Sequence, residues 1–157
     1  MEHRSKGFTL LELLVAIAIF LVLIILAVPA FTRSAQITRA DTEIGDLQRG
    51  LEFARLEAIN RGVTTRVRPT AGGSVWAGEV SVYDGTGTPA NVLRVVPAMS
   101  SGATLTLTSG GAAIDFNNLG GLSSPSTAVV ISYVLGTQSR TLNLCLNGRI
   151  LLGASCG

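Results

Sequence analysis

Histidine and lysine are almost missing from this chain. The one His is His3 and the one Lys is Lys6, both within the first seven residues; every later basic side chain is Arg. Without a later His there is no metal-ligand spacing and no imidazole for acid–base work. No Ser, Cys or Lys stands in a nucleophile motif. The Gly pairs lead into neither a Lys nor a helix start, so they read as turns and not as phosphate loops. Neither an enzyme nor a metal or cofactor is therefore expected. Charge is also scarce, at 14% of residues with a net of +2, so the totals give no strong pull toward nucleic acid. The bias to Arg suits bidentate contacts with phosphate or carboxylate; a GC-rich genome gives the same bias.

What the chain does have is one long apolar run. From Phe8 to Val28 the only charged residue is Glu12. As a helix this stretch rises roughly 31 Å, close to the thickness of a bilayer's hydrocarbon core. It therefore reads as a spanning segment, with Arg4 and Lys6 before it keeping the leader in the cytoplasm. An ordinary secretory signal fits less well. The run is long for one, and Pro29 follows Val28 directly at the place where small residues are needed for cleavage. A carboxylate costs about 2.5–3.5 kcal/mol at the centre of a spanning helix and less toward the interface. A charge kept at that cost usually has a partner.

Lys6-Gly7-Phe8-Thr9-Leu10-Leu11-Glu12-Leu13-Leu14 resembles the class III signal of type IV pilins and type II secretion pseudopilins. The resemblance implies cleavage by a prepilin peptidase between Gly7 and Phe8 and N-methylation of Phe8. It implies that Glu12 pairs with the N-terminal amine of a neighbouring subunit as a filament grows. Four segments follow: a leader (1–7), a membrane and assembly helix (8–28), an amphipathic helix half (29–62) and a β-rich head (63–157). The implied location is the inner membrane, single-pass, with the C-terminal domain periplasmic, and the surface filament after assembly.

Pro29 removes a backbone donor and is expected to kink or open the helix locally. Beyond it, Ile37, Ala40, Ile44, Leu47, Leu51, Ala54 and Ala58 recur at spacings of three and four and so form one stripe. Arg39–Glu43 and Glu57–Arg61 are opposite charges four apart, and Gly62 is a natural stop. From Thr64 the period changes to two. Strands are expected at Thr64–Arg68, Val75–Tyr83, Val92–Val96, Thr104–Thr108, Ala113–Phe116, Ala128–Leu135, Arg140–Leu146 and Arg149–Leu152, with Ser123–Thr127 as a loop. Asn147-Gly148 is the strongest hairpin signal. The fold class is α+β, a long N-terminal helix with a transmembrane first half, packed against an antiparallel β-sheet domain.

The helix end, Ala54-Arg55-Leu56-Glu57-Ala58-Ile59-Asn60-Arg61-Gly62, is similar to the H-type pseudopilin and FimT/FimU minor-pilin group. That implies a structural subunit that helps initiate or cap a pilus, with other minor pilins or pseudopilins as partners. One alternative is a minor pseudopilin of a type II secretion system. Another is DNA uptake, which some members support through a Gly-Arg-x-Arg motif. Here Gly148-Arg149-Ile150-Leu151 keeps the first Arg and has Leu at the second position. Arg149 and Arg140 are the candidate DNA contacts, with Arg66 and Arg68 joining them only if their strands are neighbours. In an oxidising periplasm Cys145 and Cys156 are expected to form a disulfide that closes a short loop, with free buried thiols as the alternative.

Overall fold

The computed structural model describes residues 9–87, 90–108 and 111–157, with only the backbone described at 26, 27, 29 and 30. The chain forms two units, one up to Ala35 and one from Gln36 to Gly157. Helix α1 (Leu10–Arg61) contributes to both.

In the first unit, Thr9 caps the start of α1. Its hydroxyl accepts from the Glu12 amide at 3.2 Å and its carbonyl from Leu13 at 3.2 Å. A Thr three residues before a Glu is the capping-box pattern, and it satisfies amides that have no partner within the helix. Every described side chain from Leu10 to Ile25 is exposed. Among the described residues no helix is long and apolar enough to cross a membrane. The span read from the sequence takes in Phe8, which lies outside the described residues, and Leu26 and Ala27, whose side chains do. The opening expected at Pro29 is not found: α1 is one continuous element across that position.

In the second unit the helical stripe is buried. Ala40, Ile44, Leu47, Leu51, Ala54 and Ala58 are fully covered, and Ile37 at the end of the row is half-buried. α1 ends where Gly62 takes a left-handed φ of 66° and its amide bonds to the Ile59 carbonyl at 3.3 Å.

The described residues then form nine strands: β1 (Thr65–Pro69), β2 (Val80–Tyr83), β3 (Val92–Val96), β4 (Ala103–Leu107), β5 (Ile114–Phe116), β6 (Leu122–Ser124), β7 (Val129–Leu135), β8 (Gln138–Leu144) and β9 (Ile150–Leu152). They form the expected antiparallel β-sheet domain, built as two sheets in the orders β3-β2-β1-β5-β6 and β4-β7-β8-β9. Alternation sets the inward faces: Val67 on β1, Val129, Ile131 and Tyr133 on β7, Leu142 and Leu144 on β8. Two strand assignments differ from expectation. Only Val80–Tyr83 of 75–83 enters a ladder, and β6 replaces part of the expected Ser/Pro loop. Trp76 is buried for another reason: its indole N–H bonds to the Gly111 carbonyl at 3.1 Å.

Three side-chain contacts fix the helix to the sheets. Thr65 Oγ1 donates to the Ala54 carbonyl at 2.8 Å in a buried site. Gly50 lets β3 approach closely, because a Cβ there would lie 2.5 Å from Val96 Cγ2. The third departs from expectation. Glu43 makes no close salt bridge with Arg39 four residues before it, whose charge acts on it at longer range; its carboxylate accepts from the Ser100 amide at 3.0 Å, from the Ser100 hydroxyl, and from Tyr133 Oη at 2.6 Å. Burial pushes the Glu43 carboxyl up, but the bonds from Ser100 and Tyr133, with the Arg39 charge added, outweigh it and hold the group below the ordinary carboxylate range. Burial and the Glu43 bond together push the Tyr133 hydroxyl up. The Glu57–Arg61 pair does form, at 2.5 Å.

Candidate functional site

Two separate places hold the residues singled out from the sequence. The first is the opening turn of α1. Gly7 and Phe8 lie outside the described residues. Glu12 is exposed in the first turn, where the helix dipole favours a negative charge. Its amide is engaged by Thr9, and no ion pair to its carboxylate is found among the described residues. The dipole contributes about 0.3–1 kcal/mol. That is less than the cost of a bare carboxylate in an apolar interior, so the local structure alone does not balance this charge.

The second place is where α1, the loop between β5 and β6, and the β8–β9 hairpin meet. The hairpin turns at Asn147-Gly148, as the dipeptide suggests. Gly148 has φ 77°, and its amide bonds to the Cys145 carbonyl at 2.8 Å. A Cβ at Gly148 would lie 1.7 Å from the Gly120 carbonyl oxygen, so only glycine allows this approach. Gly120 also has a left-handed φ, 78°, and its carbonyl accepts from Arg55 Nε at 3.0 Å. A cleft of about 320 Å³ opens beside this junction, lined by Glu52, Arg55, Leu56, Arg149, Ile150 and Leu151. Arg149 is exposed; its amide is fixed by Asn147 Oδ1 at 3.1 Å, while its guanidinium has no partner among the described residues.

The other arginines considered for DNA contact are engaged. Arg140 Nε donates to Asp41 Oδ1 at 2.7 Å and Nη1 to the Ser139 carbonyl. Arg66 clamps Asp115 with two bonds of 2.8 Å across the β1–β5 pair, and this bonding to a buried carboxylate raises the guanidinium's pKa. Arg68 lies 4.6 Å over the Tyr83 ring. Arg66 and Arg68 belong to the first sheet, Arg140 to the second, and the structure does not gather them around Arg149.

Cys145 and Cys156 are joined by a disulfide with Cα atoms 5.5 Å apart. It ties the tail beyond β9 to the end of β8, where Asn143 Nδ2 also bonds to the Ala154 carbonyl at 2.8 Å. Sequence reading missed Arg55 and Gly120 as parts of the junction. The run Asn117-Asn118-Leu119-Gly120-Gly121 signals a turn, but nothing local says which helix residue it meets.

Residues 43–149 match the family model described as type II transport protein GspH, and residues 3–28 match the prokaryotic N-terminal methylation motif. No curated protein matches the chain at a significant level. Among solved structures, the type IV minor pilin FimU of Pseudomonas aeruginosa (strain PAO1) has a TM-score of 0.62 at 19% identity, over 78% of this chain and 91% of that one. A second crystal form gives 0.60 at 20% identity, over 73% and 92%. The minor pseudopilin EpsH from the type 2 secretion system of Vibrio cholerae gives 0.57 at 16% identity, over 74% and 97%. At such identities the likeness is one of fold.

Proposed function

The chain belongs to the family described as type II transport protein GspH, and from that we propose that it is a minor type IV pilin that helps initiate or cap a pilus filament. The observation that carries this reading is the exposed apolar start of α1 with Glu12 as its one acid. Apolar surface on every face has no place in water and needs lipid or other helices around it. The proposed sequence of events is physical. The leader 1–7 is removed after Gly7 by the prepilin peptidase, and Phe8 becomes the N-methylated terminus. Residues 8–28 hold the subunit in the inner membrane as a single pass, with the head on the periplasmic side. On assembly the helix exchanges lipid for other helices, and a neighbour's N-terminal charge neutralises Glu12 where burial is deepest. In this scheme the fixed head does no chemistry; its sheets and disulfide present a rigid surface to other subunits.

The test uses Glu12→Ala in the native host. The variant should insert in the membrane normally and fail to enter filaments; normal incorporation refutes the pairing. The secretion-system alternative is separated by which proteins co-purify with the full chain, pilus minor pilins or other pseudopilins. The DNA reading has the weaker support, because Arg140 is held by Asp41 and leaves Arg149 without a second free guanidinium beside it. Absence of DNA binding by the full chain even at low salt removes that reading.

A further inference from the structure

From Arg49 onward, the described arginines account for their guanidinium groups with one exception. Arg49, Arg61, Arg66 and Arg140 are ion-paired, Arg68 and Arg94 lie over aromatic rings, and Arg55 bonds to the Gly120 carbonyl. Arg149 alone has no such partner, although its backbone is fixed on both sides: its amide by Asn147 and its carbonyl by the Cys145 amide at 2.9 Å. It is a charge held on a rigid hairpin at the rim of the 320 Å³ cleft. The opposite wall is α1, with Leu56 at 57% exposure, and the floor includes Ile150 and Leu151.

We infer that this cleft receives an acidic side chain with apolar neighbours from an adjoining subunit, the carboxylate meeting Arg149 and the apolar groups covering Leu56 and Leu151. The inference rests on the filament reading for the identity of the partner, but not for the chemistry. Charge selects a carboxylate, and the fork of a guanidinium binds it through two parallel bonds. Two features favour a protein over a nucleic acid. The wall is aliphatic and offers no aromatic face for a base. Only one guanidinium there is unengaged, whereas a phosphate chain is held by several. The exposed Leu56 beside it is covered only when a partner arrives, and a buried anchor flanked by a charge is how interfaces concentrate their energy.

The experiment titrates the full-length chain, isotope-labelled in detergent micelles, with three probes: acetyl-Leu-Glu-Leu-Leu-amide, the same peptide with Gln in place of Glu, and a twelve-residue oligothymidylate. The acidic peptide should move the Arg149 Nε–H signal and the Leu56 and Leu151 methyl signals. The glutamine peptide should bind about tenfold more weakly, as loss of one charge-assisted pair implies. Arg149→Gln should abolish the shifts, and Arg140→Gln should leave them unchanged. Equal response to the two peptides, or a tighter response to the oligonucleotide, overturns the inference. In the host, Arg149→Glu and Leu56→Gln are both exposed changes that leave the core intact, and each should lower co-purification with other filament subunits several-fold. If Glu12→Ala blocks incorporation while Arg149→Glu enters filaments normally, the cleft inference fails and the filament reading stands. If Glu12→Ala incorporates normally while the acidic peptide still binds, the filament reading fails and the partner must be sought elsewhere.

Discussion

Positions 10–25 and 40–58 lie on the same helix, yet they solve opposite problems. The first stretch is apolar on every face and every described side chain in it is exposed. The second is apolar along one row, and six residues of that row are fully covered while Asp41, Glu52 and Arg49 face water. Burying a Leu or Ile side chain contributes about 1.5–3 kcal/mol. The second stretch collects that contribution within its own chain. The described side chains of the first are all exposed, so its contribution waits for lipid or for other subunits. A helix need not draw its stability from one source along its length, and the change from all-round to one-sided hydrophobicity marks where the source changes.

Several experiments break or sharpen this contrast, and the largest effects are expected in the first stretch. Gly7→Val should leave residues 1–7 attached, read as an unshifted mass in the protein from its host; a leader still removed contradicts the proposed cut. Glu12→Ala should reduce the filament-bound fraction to background while the membrane-bound amount stays the same, measured by immunoblot of the two fractions. In the second stretch the readout is head stability. Leu51→Ala should lower unfolding stability by about 2–5 kcal/mol in urea titrations, the range for a buried large-to-small change, with membrane insertion unaffected. Tyr133→Phe should cost less, about 1.5–3 kcal/mol, since it removes one bond to a charged acceptor and leaves Ser100 on Glu43.

The smallest effect is a pH dependence. Glu43 sits below its ordinary pKa when folded, so its contribution is present above the unfolded value, near about 4.3, and is lost as pH falls through the lower folded value. Glu43→Gln should therefore flatten the acid limb of the stability profile. An unchanged limb means that the bonds from Ser100 and Tyr133 do not favour the ionised form.

The sequence showed what is local. The stripe from Ile37 to Ala58 follows from helical period alone, Gly62 stops the helix, and Asn147-Gly148 makes its turn. The departures have non-local causes. Arg39 and Glu43 satisfy the spacing rule for a surface pair, but Tyr133, 90 residues away, takes the carboxylate. Val75 and Trp76 look like strand residues because they are apolar, and Trp76 is buried; its partner is a carbonyl outside any ladder. β6 is three residues long with two serines, too short for a period to show. The strand order depends on β1 taking distant β5 on one edge while β2 holds the other, as in the Arg66–Asp115 pairing. For the candidate site, Glu12 and Arg149 stood out as motif residues, whereas Arg55 and Gly120 did not, since their roles exist only once the hairpin folds back on the helix.

The approach of Gly148 to Gly120 leaves the hairpin no room to drift. Any heavier residue at 148 would lift the turn from the loop beneath it and take Arg149 with it, so a neutral-looking change there would redirect a charge without altering the charge count. Among natural variants of this chain, position 148 should accept the least, and surveys that score substitutions by polarity alone would overlook why.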